Sequence, residues 1–347
     1  MDDVGICNDL FLALPALVVG CCPGCDPQPD PKCGRGGIAA QAFKQVNPRI
    51  AAPRITVITP CLNSAHYIGE AIESVLLQGY PNIEHIVADG GSTDGTLEIL
   101  KRYPHLKVLA GPDTGVYDAL NRALETATGE IIGILNSDDC YARDALSSAC
   151  DGFSEDGVMA LGGNAVAFRG ASNAAADEVV RFTGAGEDVL YHATLGNPSM
   201  NAWFFRAAVF SQIGVFDASY RVAGDREFML RLACSGLRCG HISKLMYRYR
   251  IHPGSLTFGG SEAIWDTIVS EHHRMTADYL RRAALSKRAR CLITRSRTRE
   301  TLQMAIRSAR SRRWGQLVFY ATAGMRYDPI WPLRFARHML AALGARR

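Results

Sequence analysis

Ile131-Ile-Gly-Ile-Leu-Asn-Ser-Asp-Asp139 is the stretch whose reading decides the fold. Four apolar residues, Ile131, Ile132, Ile134 and Leu135, run straight into two adjacent carboxylates. A continuous apolar run suits a strand covered on both faces, as in a parallel sheet. Such a strand delivers the residues after it to the carboxyl edge, where open α/β sheets bind ligands. Two further runs behave alike. Ile55-Thr-Val-Ile-Thr-Pro60 gives way to Asn63, and Ile83 to Ala88 gives way to Asp89 in Asp-Gly-Gly-Ser-Thr-Asp-Gly-Thr96. Three strand ends that each present polar groups make a binding edge.

Outward from these runs, strands alternate with helices. Strands are expected at 55–59, 83–88, 106–110 and 130–135, and helices at about 65–78, 94–102 and 115–126. Tyr67, Ile68, Ala71, Ile72, Val75 and Leu76 recur at helical spacing, with Ser64 placed to cap the start and Pro81 beyond the end. The Ser92-Thr-Asp94 cluster offers N-caps for the next helix. The alternation predicts an α/β fold with a mainly parallel central sheet. Residues 158–168, 178–182 and 202–205 are strand-like, 225–233 is helical, and a strand at 245–249 runs into His252-Pro-Gly-Ser-Leu-Thr257. Beyond Gly260 the pattern is helical.

A chain of 347 residues, 48% hydrophobic, has room for one large core or two smaller ones. Its net charge of +4 is unevenly spread: residues 1–258 hold 20 Lys/Arg against 28 Asp/Glu, and 259–347 hold 18 against 6. An Arg-rich tail interleaved with Trp314, Leu317, Phe319, Trp331, Leu333, Phe335 and Leu340 suits amphipathic helices, lying either on an anionic membrane face or against the rest of the fold. It carries no nucleic-acid-binding module, so no nucleic-acid partner is expected. Five of the eleven cysteines crowd the first 33 residues; the other six are scattered singly, as buried apolar groups in a reducing compartment. Leu10 to Gly20 is apolar but preceded by Asp2, Asp3 and Asp9 without Lys or Arg, unlike a secretory signal. Cys22-Pro-Gly-Cys25 has no second pair or nearby His to complete a zinc site. No apolar run reaches about 18 residues, so no transmembrane helix is expected. Three regions result: a Cys/Pro/Gly-rich extension over 1–52, expected to be disordered, an α/β domain over 53–258 and an Arg-rich helical region over 259–347.

The glycine-rich loop lacks the Lys of a P-loop and the Gly-x-Gly-x-x-Gly spacing of a dinucleotide fold. What remains is Asp89, able to accept hydrogen bonds from a base edge or a ribose hydroxyl, and Asp94, suited to a turn. The Asp138–Asp139 pair suits a divalent ion bridging to a diphosphate; a helix cap is the structural alternative.

Taken in order, Thr59-Pro-Cys-Leu-Asn63, Asp89 to Thr96, Asp113-Thr-Gly-Val-Tyr-Asp-Ala-Leu-Asn121 and Leu135-Asn-Ser-Asp-Asp139 resemble the family 2 glycosyltransferases of the GT-A fold, within the branch that builds bacterial cell-surface polysaccharides. The resemblance covers roughly residues 54–257. It implies a nucleotide-binding α/β sandwich that takes a nucleotide-sugar donor, a divalent cation (Mg or Mn) and a glycan or lipid-linked glycan acceptor. Location would be cytoplasmic, or peripheral on the inner face of the plasma membrane. By resemblance, donor contacts fall to Pro60, Asn63, Asp89, Ser92, Asp118, Asn121, Asn136, Ser137 and His252, and the metal to Asp138 and Asp139, with Asn136 replacing the first acid of the Asp-x-Asp motif. The base falls to Asp225 in Gly224-Asp225-Arg-Glu-Phe-Met-Leu-Arg-Leu232, where Gly224 replaces the family's Glu; Glu227 reads as a helix-surface acid and Asp217 as a turn residue. Arg250, His252 and Ser255 suit a loop closing over the diphosphate, or a plain turn at Pro253-Gly254. In Asn197-Pro-Ser-Met-Asn-Ala202, Met200-Asn201 stands where relatives often carry His-Gln. Two rival readings are a catalytically degenerate transferase-like binding protein and a nucleotidyltransferase; the latter needs a glycine-rich loop with Lys or Arg after the first strand, and 59–65 has none.

Overall fold

The structure, a computed structural model, describes residues 52–170, 178–182, 188–196, 199–255 and 262–327, with Leu333 and Ala336. The Cys-rich extension, Asn197, Pro198, Thr257 and nearly all of the final Trp331 stretch lie outside them. Described residues up to Ile264 form one compact unit and those from Trp265 another.

In the first unit, β1 (Ile55–Cys61), β2 (Ile83–Asp89), β3 (Leu106–Ala110) and β4 (Ile131–Ile134) pair in parallel, in the order β3-β2-β1-β4. β1 and β4 are buried along their whole lengths, as a sheet covered on both faces requires. α1 (Ile68–Leu76), α2 (Thr96–Leu100) and α3 (Val116–Leu124) make the crossovers. The chain first builds outward from β1 to β3 and then returns to β1's other side with β4. That reversal is a topological switch point, and it opens a crevice beyond the carboxyl ends of β1 and β4. α1 is shorter than its apolar periodicity suggests. Ser64 engages its first turn through its carbonyl, which accepts from the Tyr67 and Ile68 amides, while its hydroxyl contacts Ser137 instead of capping.

Beyond β4 the sheet turns antiparallel, continuing through β8 (Trp203–Arg206) and β6 (Ala160–Phe168), with β9 (Cys239–Arg250) parallel to β6. β7 (Glu178–Phe182) shares β6's edge with β8. A two-residue strand, β5 (Cys140–Tyr141), lies antiparallel to the end of β9, with Cys140 opposite Arg248. α1 fixes β5 in place: the Tyr141 amide donates to Ser74 Oγ, and the Gln78 amide donates to the Ala142 carbonyl. α4 (Ala145–Gly152), α5 (Val189–Thr194), α6 (Ala207–Ile213) and α7 (Gly224–Cys234) complete this unit. The core joins Ile55, Val57, Ile131, Leu135, Tyr141, Phe204 and Tyr247.

The second unit holds most of α8 (Glu262–Arg281), with α9 (Lys287–Arg310) and α10 (Trp314–Tyr327). Val269, Met304, Ala305 and Tyr320 form its apolar centre, and Leu317 and Ala321 of α10 pack against it. No helix among the described residues is long and apolar enough to cross a membrane.

Gly133, mid-β4, has no room for a side chain. A Cβ there would lie 2.6 Å from both the Phe204 ring and the Tyr141 hydroxyl, whose rings stack on one another and close the core under the acid motif. Gly133→Ala is therefore expected to cost about 1–3 kcal/mol through overpacking, read as a lowered urea midpoint at unchanged m-value.

Candidate active site

The loops after β1 and β2 brace one another. The Asn63 amide donates to Ser92 Oγ (2.8 Å), and Asn63 Oδ1 accepts from the Thr93 amide (2.9 Å), with Asn63 itself at φ 51°. Asp89 is fully buried, and its Oδ2 accepts from the Gly91 and Ser92 amides at 2.9 Å each. Burial alone would raise its carboxyl, but hydrogen bonds from the Ser92 hydroxyl and amide and the Gly91 amide hold it below the ordinary value. The Cys61 thiol donates to Asp89 Oδ1, and burial beside that charge pushes its own ionisation far up. Asp94 is the turn residue its position suggests: it accepts from the Ala65 and Thr96 amides at 3.0 Å each. Asp89 thus shapes the loop as well as charging it. Asp113, to which the sequence pattern gave no role, comes against this loop: a Cβ on Gly90 would meet its Oδ2 at 2.5 Å. Pro60 lies buried in β1 opposite Ala88.

At the end of β4 the two neighbouring acids separate in role. Asp139 is 3% exposed, its Oδ1 accepting from the Arg250 amide (2.7 Å) and its Oδ2 from the Tyr247 hydroxyl (2.8 Å) and Asn136 Nδ2 (3.2 Å). Burial, and then the charge of Asp138, push its carboxyl well above the usual range. Expected beside Asp138 as a second metal ligand, Asp139 is instead an interior group that shapes the motif. Asp138 keeps 30% side-chain exposure, and its Oδ2 lies 2.9 Å from His252 Nε2. His252 Nδ1 accepts from the Gly254 amide (3.2 Å), so in the neutral ring Nε2 carries the proton and donates to Asp138. Ser137 is buried against the Ser64 hydroxyl at 2.7 Å, tying the β4 loop to the β1 loop.

Arg250, expected to reach toward a diphosphate, is buried and committed to the fold. Its guanidinium donates to the Asp138 carbonyl (2.9 Å), the Gly170 carbonyl and Glu70 Oε2 (2.7 Å), and it lies over the Tyr67 and Phe168 rings. Ser255 is buried, donating to the Arg250 carbonyl, which is the turn reading of this segment. Among the described residues no three His, Cys, Asp or Glu side chains form a metal-holding group. One partly open carboxylate does fit a magnesium or manganese ion whose other ligands are substrate phosphates and water.

Asp225 lies in the first turn of α7, half-buried, with Oδ1 accepting from the Arg226 amide at 2.6 Å. Burial, and then the charges of Asp139 and Asp225, push the ionisation of the Tyr249 hydroxyl well up. Glu227 differs from its surface reading, being buried and paired with Arg231 at 2.7 Å. Asp217 closes a turn with the Ser219 amide, as expected. Asp118 accepts from the Thr114 amide (2.9 Å) at the head of α3, and the Asn121 amide bonds both ways with the Phe216 backbone. Both side chains are engaged in holding α3 and its neighbours. Tyr117, Tyr247 and Tyr249 were not identified from the sequence, because nothing separates a site tyrosine from a core one in a linear pattern.

The Glycosyl transferase family 2 model matches residues 56–211. A PGL/p-HBAD biosynthesis glycosyltransferase of Mycobacterium bovis is 29% identical over 251 residues, covering 69% of this chain and 87% of that one. The putative teichuronic acid biosynthesis glycosyltransferase TuaG of Bacillus subtilis is 39% identical over 99 residues, 27% of this chain and 39% of its own. Among solved structures, S. aureus TarS 1-349 in complex with UDP-GlcNAc superposes with a TM-score of 0.58 at 19% identity, covering 79% of this chain and 81% of that one. Of a longer TarS chain this one spans 53%. The mannosyltransferase PcManGT of Pyrobaculum calidifontis, in complex with GDP-Man and Mn2+, has a TM-score of 0.56 at 21% identity over 84% of this chain and 81% of its own. What the strand-end motifs imply and what these likenesses show coincide: residues 56–211 match the family 2 glycosyltransferases, and the fold is of the GT-A type.

Proposed function

We propose that this glycosyltransferase inverts the anomeric centre, depends on a divalent cation, and moves a sugar from a nucleotide-sugar donor to a hydroxyl of a glycan or lipid-linked acceptor in cell-surface polysaccharide synthesis. The observation that carries this reading is the partly open Asp138 just beyond the carboxyl end of β4, at the switch point, in the same unit as an α7 that opens on Asp225. The braced Asn63, Asp89 and Ser92 loops receive the nucleoside. Asp225 takes the acceptor hydroxyl's proton as its oxygen bonds to the anomeric carbon, and the bond to the donor diphosphate breaks on the opposite face. His252, whose Nε2 proton goes to Asp138, orients that carboxylate beside the departing diphosphate. Asp138 would hold a magnesium or manganese ion, which would neutralise charge on that leaving group. The manganese and nucleotide-sugar complexes of structural neighbours and the teichuronic acid name of a relative support the donor, metal and polymer classes.

The helical unit supports a place at the membrane. On α10, Leu317 and Tyr320 face the unit's own centre, whereas Trp314, Val318, Phe319 and Met325 remain exposed, Trp314 at 64%. Exposed Arg310 and Arg312 stand just before this stripe. An apolar face with arginines at its end suits an anionic bilayer surface, where a lipid-linked acceptor resides.

Three outcomes are expected. Asp225→Asn lowers turnover about 100- to 10,000-fold while nucleotide-sugar binding, read as a thermal shift, persists. Manganese and a nucleotide sugar together raise the melting temperature of the chain; EDTA or Asp138→Asn removes the increment due to the metal. Finally, the protein co-floats with phosphatidylglycerol vesicles, less so as salt rises, and a Trp314→Ser/Phe319→Ser variant stays at the bottom of the gradient.

A further inference from the structure

The loop 214–223 leads into Asp225, and one helix, α3, fixes it from end to end. Asn121 Nδ2 donates to the Phe216 carbonyl (2.8 Å), and the Phe216 amide returns a bond to Asn121 Oδ1 (3.0 Å). One helical turn earlier, the Tyr117 ring stacks on Phe216, with centroids 5.9 Å apart and planes 28° from parallel. Its hydroxyl donates to the Val222 carbonyl (2.7 Å) and accepts from the Asp225 amide (3.1 Å), with Asp225 Oδ1 at 3.5 Å. A phenol has a single proton to give. The shorter contact takes it, so Tyr117 meets the Asp225 backbone as an acceptor.

Gly224 completes the arrangement. A Cβ on it would fall 2.7 to 2.9 Å from three ring carbons of Tyr117, closer than real Cβ contacts occur. Glycine is needed here for close approach of the ring to the backbone. The absence of the family's Glu before Asp225 thereby has a local reason: in this chain that position is filled by the tyrosine's face.

We propose that Tyr117 is a positioning residue, matched to Gly224, whose hydroxyl holds the 222–225 turn so that the Asp225 carboxylate meets the acceptor hydroxyl. The inference rests on Asp225 being the base. Because the contacts are to backbone atoms at the first turn of α7, their loss lets the helix start rotate or fray without disturbing the nucleotide loops after β1 and β2. The effect belongs to the chemical step and leaves donor binding alone.

Tyr117→Phe keeps the ring, its stacking and the Gly224 contact, and removes only the hydroxyl. Expected is a roughly 10- to 100-fold fall in kcat, the scale of a misplacement of about 1 Å, with donor KM and the nucleotide-sugar thermal shift unchanged. Introduced into Asp225→Asn, the same change adds no further loss, since the group being positioned is already gone. A general loosening of the fold would lower the residual turnover of Asp225→Asn as much as it lowers the parent, and that result overturns the proposal. Wild-type kcat in Tyr117→Phe overturns it too, while leaving the base reading intact if Asp225→Asn is inactive. Full activity in Asp225→Asn instead removes the reading on which the inference stands. Gly224→Ala, which displaces the ring but keeps the hydroxyl, supplies a second perturbation: the same kcat loss at constant donor KM supports the pairing, and unchanged kcat in a folded protein counts against it.

Discussion

The buried guanidinium of Arg250 is the group on which the acid end of β4 depends. A charge out of water must be paired and fully hydrogen-bonded, and stripping a partner from such a group costs about 3–5 kcal/mol. Arg250 meets that requirement with the Asp138 and Gly170 carbonyls and the Glu70 carboxylate, while its own amide binds Asp139. Three segments distant in sequence are thus tied to the last residue of β9. β5 adds two rungs of ladder beside it, and His252 reaches Asp138 from two residues further on.

Adjacent carboxylates repel, and the fold resolves the conflict by unequal burial. Asp139 goes inside, where three donors compensate it; Asp138 keeps contact with solvent and is the one able to meet a cation. This also gives Asn136 a reason. Its Nδ2 donates to Asp139 at 3.2 Å, whereas an aspartate in that position would bring a third negative charge against a buried one. The departure from the family's Asp-x-Asp pattern is compensated within three residues.

The parallel half of the sheet was legible because buried strands and amphipathic helices leave strong periodic signals: β1 to β4 and α1 to α3 lie within a few residues of where the pattern puts them. β5 was not, since two residues carry no period, and α4 and α6 were hidden in sequence without clear caps. For the site, residue type and order pointed to Asp138, Asp225 and the braced loop residues, but could not tell a carboxylate that faces solvent from one that serves the interior. Asp139 and Arg250 show the limit, because their burial and partners come from β9, the loop after β4 and α1, far away in sequence; Glu227 is drawn inside by Arg231 four residues on. Tyr117 sits in a motif whose sequence reading placed ligand contacts on its neighbours Asp118 and Asn121, and only the packing of α3 on the 214–223 loop reveals what those side chains hold.

The sheet's outermost strands have a further consequence. At one margin β3 is a five-residue strand whose exposed positions include Lys107, whose ammonium is tied back to the Thr126 carbonyl; at the other, β5 is only two residues long. Neither offers the long, flat, apolar row of open amides and carbonyls that recruits a foreign strand. Copies of this unit meeting at either of these two margins would have little backbone to zip together, so association there would have to proceed through side chains.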